Sequence, residues 1–553
     1  NFHVAVSFDR KGVSAVFVYR YGFAAHGEFF QFVAVVRRHG DHNAFAQFRR
    51  RFIGYYRSVF DRFVDHDLSV SLFHRHFLAH FGVARKSGGV AEVGGVHFAD
   101  RVIFPVGFEF HRLPGDAYGD RGFAVVEKRE AGGTCLNRGC IPTKTLLHSS
   151  QIFHDAKHGA HAGIHTDDIR ADMTEIFAYK REISQKLSSG IESLFKTAKI
   201  DFLRGTALIT APGAVRVTDA EGGANDYTCD DILIATGSVP SRPLIPGLEF
   251  AMTSDELLEG CDHLYRSIVI IGGGVIGIEF ATFYADLGCE VTVIEGMDRL
   301  LPNMDKELGQ SLALILKKQG VKVFTNAMVQ SLERTGEDIA VNFICKEKSE
   351  TVSGEAVLCA IGRRPYCDGL FADGISVEMN RRSIAVNERY ETSIPHIYAI
   401  GDVSAKIQLA HVATAQGIAC VDLLYGRENH TSMSVVPSCI YCRPEIAVVG
   451  LTEAEAKEAG IPVKVGKHVM FDNAKTLIAD PGRCFMKFVA HAETRELLGA
   501  QLMCEHASDM IGGISQALAN HMTVDQFLLA MRPHPSFEEA MTAALKDLVQ
   551  KLG

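Results

Sequence analysis

Across residues 1–123 there is no cysteine, no methionine and only two lysines, Lys11 and Lys86. All 13 cysteines of the 553-residue chain lie at or after Cys135, an odd number whose spacing is irregular apart from Cys135/Cys140 and Cys439/Cys442. A secreted disulfide scaffold would spread an even set through the chain. Mostly buried thiols in a reducing compartment are therefore expected, and a disulfide formed there would be catalytic. No apolar run approaches the roughly 18 residues of a membrane span, so no membrane association is expected. The net charge of −9 lacks the basic excess that a general phosphate-binding field requires, which excludes nucleic acid as the expected partner. No charged n-region, apolar h-region and cleavage site open the chain, so no secretory signal is expected. The cytoplasm is the expected compartment, with the mitochondrial matrix as the alternative.

The remaining composition, 47% hydrophobic and 22% charged with 51 glycines, is that of a globular enzyme rather than a disordered chain. At about 100–200 residues per domain the length allows roughly three to five domains. That average hides a division near residue 123. The segment 1–123 holds 20 of the 35 Phe, 10 of the 24 His and 14 Arg. Its 16 basic and 11 acidic residues make it +5 and leave −14 for the rest. It shows no sustained period of 2 or 3.6, so no secondary structure is assigned to it. His74, His76 and His80 are spaced for neither one helical face nor a familiar ligand set, and no metal site is expected.

From Phe123 onward, short apolar runs closed by Gly or an acid alternate with helical patterns, which predicts repeated βαβ units and parallel sheet. Strands are expected at 123–126, 231–235, 356–361 and 396–400. Helices are expected at 141–153 and 176–195, the second amphipathic with Lys180, Arg181 and Lys186 outward. A complete strand, helix, strand unit is expected over 267–294. From 437 to the end, short strands (446–449, 485–489) mix with helices (453–459, 507–519, 537–548), which predicts a closing α+β domain.

Within that unit lies Gly272-Gly273-Gly274-Val275-Ile276-Gly277, between a strand and a helix, with Glu295 closing the next strand. Gly272 permits a tight turn, Gly274 lets backbone approach a pyrophosphate at the helix N-terminus, and Gly277 allows close helix packing. Glu295 can accept from a ribose 2′-hydroxyl and repels a 2′-phosphate, so NAD is expected rather than NADP. The second phrase is Gly132-Gly133-Thr134-Cys135-Leu136-Asn137-Arg138-Gly139-Cys140-Ile141-Pro142-Thr143-Lys144. Cysteines five apart at the head of a helix can approach within the roughly 4.4–6.8 Å Cα separation of a disulfide if the first turn is distorted. A helix N-terminus favours the thiolate. Two structural core thiols would be the default for an arbitrary pair, but the flanking Gly132-Gly133, Pro142 and Lys144 disfavour that reading here. His534, between two prolines and followed five residues later by Glu539, can act as a base oriented by a carboxylate, though alone it reads as a surface histidine.

These phrases, with Ala235-Thr236-Gly237, Ala360-Ile361-Gly362-Arg363-Arg364-Pro365 and Tyr398-Ala399-Ile400-Gly401-Asp402, resemble the flavin disulfide reductases, in particular the dihydrolipoamide dehydrogenases, in order from about residue 123 to the end. The resemblance implies an α/β fold: two Rossmann-like domains, for FAD and for NAD, and a C-terminal α+β dimerisation domain. The expected layout is an atypical leader (1–122), an incomplete FAD domain with the redox disulfide (123–265), the NAD domain (266–385), a central segment returning to FAD (386–433) and the interface domain (434–553). It implies a redox pair in which Cys140 faces the flavin and Cys135 attacks the substrate disulfide. Lys144 would sit near the flavin and pair with Glu279. Asp402 would bond the ribityl chain, Leu409, Ala410 and His411 would line the pyrimidine edge, and Glu127 would hold the adenosine ribose. Gly133, Thr134, Thr236, Gly237 and Gly362 complete the expected cofactor contacts. It also implies a homodimer, with His534 and Glu539 serving the opposite chain's disulfide, and a lipoyl domain of a 2-oxoacid dehydrogenase or glycine cleavage complex as partner. The activity implied is oxidation of dihydrolipoamide with NAD+ as acceptor.

Three departures qualify the resemblance. Arg532-Pro533 stands where His-Ala is commoner. Cys439-Ile440-Tyr441-Cys442 has no family role and no second pair to complete a zinc site. Most importantly, no strand with a Gly-x-Gly-x-x-Gly turn precedes Glu127: counting back reaches Val106-Gly107-Phe108-Glu109-Phe110-His111, with one glycine. Side chains there exclude a pyrophosphate. The leader then reads as an out-of-frame or antisense translation joined to a truncated reductase, or as a genuine extension whose bearer has lost normal FAD binding. The alternatives for function are a glutathione- or mercuric-type reductase, disfavoured by Glu295 and by a C-terminus without vicinal cysteines, and a flavin-less homologue acting as a binding subunit.

Overall fold

Buried parallel strands need apolar residues on both faces, and the run Ser267–Ile271 supplies them. It is the middle strand of a five-stranded sheet in a computed structural model that describes residues 122–553 except 405, 406, 430 and 481, with the backbone of three leader strands. The chain divides into two units, Asn1–His97 and Phe98–Gly553.

In the first unit β1 (Phe2–Asp9), β2 (Gly12–Gly22) and β3 (Phe29–Arg37) pair antiparallel in that order. The periodicity reading assigned nothing here. Val, Phe and Tyr recur in these strands, and β preference rather than a clean period accounts for them. His74, His76, His80 and the 106–111 stretch lie outside the described residues.

In the second unit β4 (Phe123–Glu127) leads into α1 (Gly133–Arg138) and α2 (Cys140–His158). The long α3 (Met173–Ala198), capped by the Asp172 carboxylate accepting from the Glu175 N–H at 3.0 Å, returns to β5 (Ile200–Arg204), parallel to β4. Lys180 corrects an expectation. It points inward, only 5% exposed, its ammonium donating to the Leu258 carbonyl at 2.6 Å, while Arg181 and Lys186 are exposed. Helical spacing assigned all three cations to water, but an unpaired carbonyl at the end of another helix captures this one. An antiparallel meander over 206–228 precedes β6 (Ile232–Ile234).

The nucleotide unit follows: β7 (Ser267–Ile271), α4 (Val275–Leu287), β8 (Glu290–Ile294), β9 (Lys322–Phe324) and β10 (Ala356–Cys359). With the short Met252–Thr253 strand they form one parallel sheet, in which β7 lies between β10 and β8. α4 is buried nearly all round, packed in one core with Leu146 and Leu147 of α2. Next β11 (Ile397–Ala399) turns back to pair with β6, and α5 (Ala410–Leu424) follows. The first domain's parallel strands thus form two separate pairs, β4–β5 and β6–β11. No described strand joins them.

The closing domain is an antiparallel sheet of β12 (Ser438–Ile440), β13 (Ile446–Gly450), β14 (Val463–Val469), β15 (Phe485–His491) and β16 (Leu497–Met503), in spatial order β12-β13-β16-β15-β14. Its core includes residues of α6 (Ala507–Ala519) and α7 (Glu539–Leu552). Among the described residues no helix is long and apolar enough to cross a membrane.

Candidate functional site

Two helices meet head to tail at Gly139, which breaks the chain between α1 and α2 with φ −148° and ψ −113°. A Cβ at that position would lie 3.1 Å from the Thr134 carbonyl oxygen and 3.4 Å from the Cys135 Cα. The missing side chain is what lets Cys135 on α1 approach Cys140, the first residue of α2. Both are half-buried free thiols, and each shifts the ionisation of the other. The neighbouring Cys135 thiol pulls the Cys140 thiol down to about 7 against the opposing effect of burial, with help from the Lys144 charge. The Cys140 sulfur, together with burial, pushes Cys135 far up. One proton is thus held on Cys135 while Cys140 becomes the thiolate near neutrality.

Lys144 follows Cys140 by one helical turn, on the same face of α2. Its ammonium donates to both Glu279 oxygens, at 2.8 and 2.9 Å. Burial opposes its charge, but the Glu279 carboxylate more than compensates and the Lys144 pKa is raised. Glu279 is almost completely buried on α4 and also accepts from the Tyr441 N–H at 3.2 Å, while the Tyr441 ring faces the Lys144 ammonium, 4.7 Å from the ring centroid. α4 therefore joins two parts of the site, because its N-terminus is the glycine turn.

At that turn Gly272 has φ +111°, and its N–H donates to the Ile294 carbonyl at 2.8 Å. A Cβ on Gly277 would come within 2.0 Å of the Gly272 oxygen, so only glycine lets the helix start against the strand. Gly274 caps α4 with open space around it. Glu295 is buried, its carboxylate accepting from the Gly273 N–H at 2.6 Å and the Met297 N–H at 2.7 Å.

A third group assembles around Asp402. Its carboxylate accepts from the Ser238 hydroxyl at 2.6 Å, and Ser238 in turn accepts from Arg363 Nε at 2.9 Å. Arg363 also bonds the Ser238 carbonyl at 2.8 Å and Asp255 at 3.1 Å. The Thr236 hydroxyl donates to the Tyr366 carbonyl, and Gly237 accepts from the Tyr366 N–H at 2.9 Å. Ser238 and Arg363 were not selected as site residues from sequence, although Ser238 follows Ala235-Thr236-Gly237 and Arg363 lies within the 360–365 phrase; Tyr441 was passed over between two cysteines. Gly133, Gly237 and Gly362 each face open space. Thr134 lies in α1, Leu409 caps α5, Ala410 begins it, and His411 Nε2 lies 2.9 Å from the Pro437 carbonyl. Glu127 ends β4 and accepts from the Arg129 N–H at 2.8 Å.

His534 and Glu539 form their own pair on the closing domain, Nδ1 to Oε1 at 2.9 Å, and the other Glu539 oxygen accepts from the Ser536 N–H at 2.9 Å. These two bonds hold the Glu539 carboxyl below its usual range. The His534 side chain is 74% exposed, and among the described residues only its Nδ1 is hydrogen-bonded. Cys442 is buried with its Sγ 3.2 Å from the Pro444 carbonyl oxygen, and Cys439 is half-buried with its pKa pushed up to about 11 by burial, the behaviour of structural thiols.

Residues 118–417 match the family described as pyridine nucleotide-disulphide oxidoreductase, and residues 436–545 match its dimerisation domain. A dihydrolipoyl dehydrogenase of Bacillus subtilis (strain 168) is 37% identical over 436 residues, covering 76% of this chain and 91% of that protein. The mitochondrial dihydrolipoyl dehydrogenase of Pisum sativum is 34% identical over 425 residues, covering 76% and 85%. Among solved structures, LpdA from Mycobacterium tuberculosis superposes with a TM-score of 0.71 at 25% identity, covering 77% of this chain and 94% of its own. The HOCl-induced flavoprotein disulfide reductase RclA from Escherichia coli gives 0.67 at 27% identity, covering 77% and 93%.

Proposed function

The chain belongs to the pyridine nucleotide-disulphide oxidoreductase family, and from that premise we propose that it oxidises dihydrolipoamide, carried on the lipoyl domain of a partner protein, to lipoamide with NAD+ as the acceptor. The observation that carries this reading is the joining of the Cys135/Cys140 thiols, through Lys144 and Glu279, to the helix that starts at the nucleotide turn. The overall exchange balances as dihydrolipoamide plus NAD+ giving lipoamide, NADH and a proton.

The family uses FAD and NAD. The residues at 272–277 with Glu295 fit NAD: a helix N-terminus opens onto free space and a carboxylate closes the next strand. The described residues also fit the ring, ribityl and ribose parts of FAD: Gly133, Gly237 and Gly362 each have open space where a Cβ would stand, and the Asp402 and Glu127 carboxylates would supply acceptors. No described strand and glycine turn serve its pyrophosphate. When bound, FAD supplies the two-electron relay between a dithiol and a nicotinamide.

This chain's own residues handle sulfur and protons. Cys135 exchanges with the substrate, and the oxidised form is a Cys135–Cys140 disulfide that accepts two electrons as the substrate's own disulfide closes. Lys144, fixed by Glu279, stabilises the Cys140 thiolate that results. His534, oriented through Nδ1 by Glu539, takes the substrate thiol proton on Nε2. Its exposure suits a base offered across a two-fold interface to a second copy of the chain. Exposed Phe471, Leu477, Ile478, Leu529 and Met531 on the same domain are apolar surface that such a copy would cover. Thirteen free thiols, and relatives in bacteria and mitochondria, support a reducing compartment, either bacterial cytoplasm or mitochondrial matrix.

The full chain, incubated with FAD and desalted, should be yellow and should reduce NAD+ with dihydrolipoamide; Cys140→Ser should abolish that turnover. Turnover retained by Cys140→Ser overturns the dithiol mechanism. The absence of a glycine turn before Glu127 favours a second reading, a flavin-less binding subunit, and protein that stays colourless with added FAD supports it.

A further inference from the structure

Tyr441 belongs to the Cys439-Ile440-Tyr441-Cys442 phrase, whose cysteines have the character of structural thiols. The tyrosine between them is different. It follows β12 of the closing domain, yet it touches both members of the ion pair behind the reactive thiol: its N–H donates to Glu279 Oε1 at 3.2 Å, and its ring face lies 4.7 Å from the Lys144 ammonium. The ammonium is thus held between a carboxylate and an aromatic face, each of which favours the charged form. Its neighbours Ile440 and Cys442 are both buried in the core that also holds Leu146 and Leu147, so the backbone that carries Tyr441 is anchored there. Burial raises the Tyr441 phenol, which keeps it neutral and leaves the ring as the element acting on Lys144.

We propose that Tyr441 is a positioning residue for Cys140: by supporting the Lys144 ammonium and fixing Glu279, it holds a cation one helical turn from the thiol and so sets how readily that thiol ionises. The closing domain, through this one residue, then tunes the sulfur chemistry of the first domain: the ring acts on Lys144, and the backbone N–H, which every substitution retains, acts on Glu279. A thiol beside a fixed cation ionises at lower pH than one beside a cation free to swing into water. The proposal rests on the reading of Cys135 and Cys140 as the reactive pair.

The test uses the reduced full chain and needs no flavin: site-resolved alkylation by iodoacetamide, followed by mass spectrometry from pH 5 to 10, in the wild type, Tyr441→Phe and Tyr441→Leu. In the wild type the Cys140 rate should reach half its plateau near pH 7. Tyr441→Phe, which keeps the ring, should follow the same profile. Tyr441→Leu should move the midpoint upward, making Cys140 alkylation at pH 6 about threefold slower while the high-pH plateau is unchanged, a shift of roughly half a unit. In a Lys144→Met background, Tyr441→Leu should add nothing. An unmoved midpoint in Tyr441→Leu, an equal shift in Tyr441→Phe, or a further shift in the Lys144→Met background each overturns the positioning role. If Tyr441→Leu does not fold, Tyr441→Met takes its place with the same criteria. A wild-type Cys140 with no depressed midpoint overturns the reactive-pair reading and the proposal with it, and is distinguished by appearing before any substitution.

Discussion

Gly277→Ala and Gly274→Ala differ by one methyl each, three residues apart, and should fail in different ways. At Gly277 the new Cβ meets the Gly272 oxygen at 2.0 Å, the Gly272 carbonyl carbon at 3.1 Å and Ile270 Cγ2 at 3.3 Å. Restoring ordinary van der Waals spacing requires the start of α4 to move about 1.4 Å away from β7. Overpacking of this kind costs about 1–3 kcal/mol, and exchanging Gly for Ala in a helix returns about 1 kcal/mol, so the clash prevails but the fold survives. The same displacement carries the helix N-terminus away from the pyrophosphate. If one to two of those kilocalories reach the bound state, NADH affinity falls about 5- to 30-fold. At Gly274 the Cβ meets nothing within 4 Å, so thermal stability should stay within about 0.5 kcal/mol of wild type. The methyl then occupies the space into which a phosphate must come, and NADH binding should weaken at least as much. Equilibrium NADH fluorescence titration and thermal unfolding of both variants measure the two quantities. Wild-type NADH affinity in Gly274→Ala would refute the assignment of this turn to a pyrophosphate, and unchanged stability and affinity in Gly277→Ala would refute the steric argument.

Glu295→Ser removes the carboxylate that would repel a 2′-phosphate, so the ratio of NAD+ to NADP+ efficiency, measured by steady-state kinetics, should fall by about tenfold or more, with NAD+ affinity also reduced because the Gly273 and Met297 N–H groups lose their acceptor. Lys180→Glu places a second acceptor against the Leu258 carbonyl in a buried position and should destabilise the protein by about 2 kcal/mol or more, whereas the exposed Arg181→Glu should cost less than about 0.5 kcal/mol; equal effects in chemical denaturation would return Lys180 to the surface. His534→Gln should slow dihydrolipoamide oxidation by about 10²–10⁴ in kcat, and an unchanged rate would reassign His534 to structure.

The parts that could be read from sequence share one property: their chemistry is local. Three glycines at fixed spacing between a β-branched run and a helix specify a turn through their own sterics, and β7, α4 and β8 lie within a residue of where periodicity put them. The helix after Cys140 and the closing helices followed from the same short-range signals, whereas α1 was missed because six residues ended by glycine carry too little period. The meander over 206–228 was missed because its strands are five or six residues long with polar outer faces. Lys180 was misread because an amphipathic pattern says which face is apolar, not that a distant carbonyl at Leu258 needs a donor.

Residue types and near-neighbour spacing were enough to mark Cys135, Cys140, the 272–277 turn and Glu295 as candidates, because backbone sterics and reach along the chain bound what those groups can do, whereas His534 and Glu539 received their role only by resemblance. The pairing of Lys144 with Glu279 came only by resemblance, since nothing local links residues 135 positions apart. Folding alone decided that Tyr441 closes over that pair, that Ser238 and Arg363 gather on Asp402, and that Lys180 turns inward. Each of those contacts joins elements far apart in the chain, and its energy exists only once packing has excluded water from the space between them.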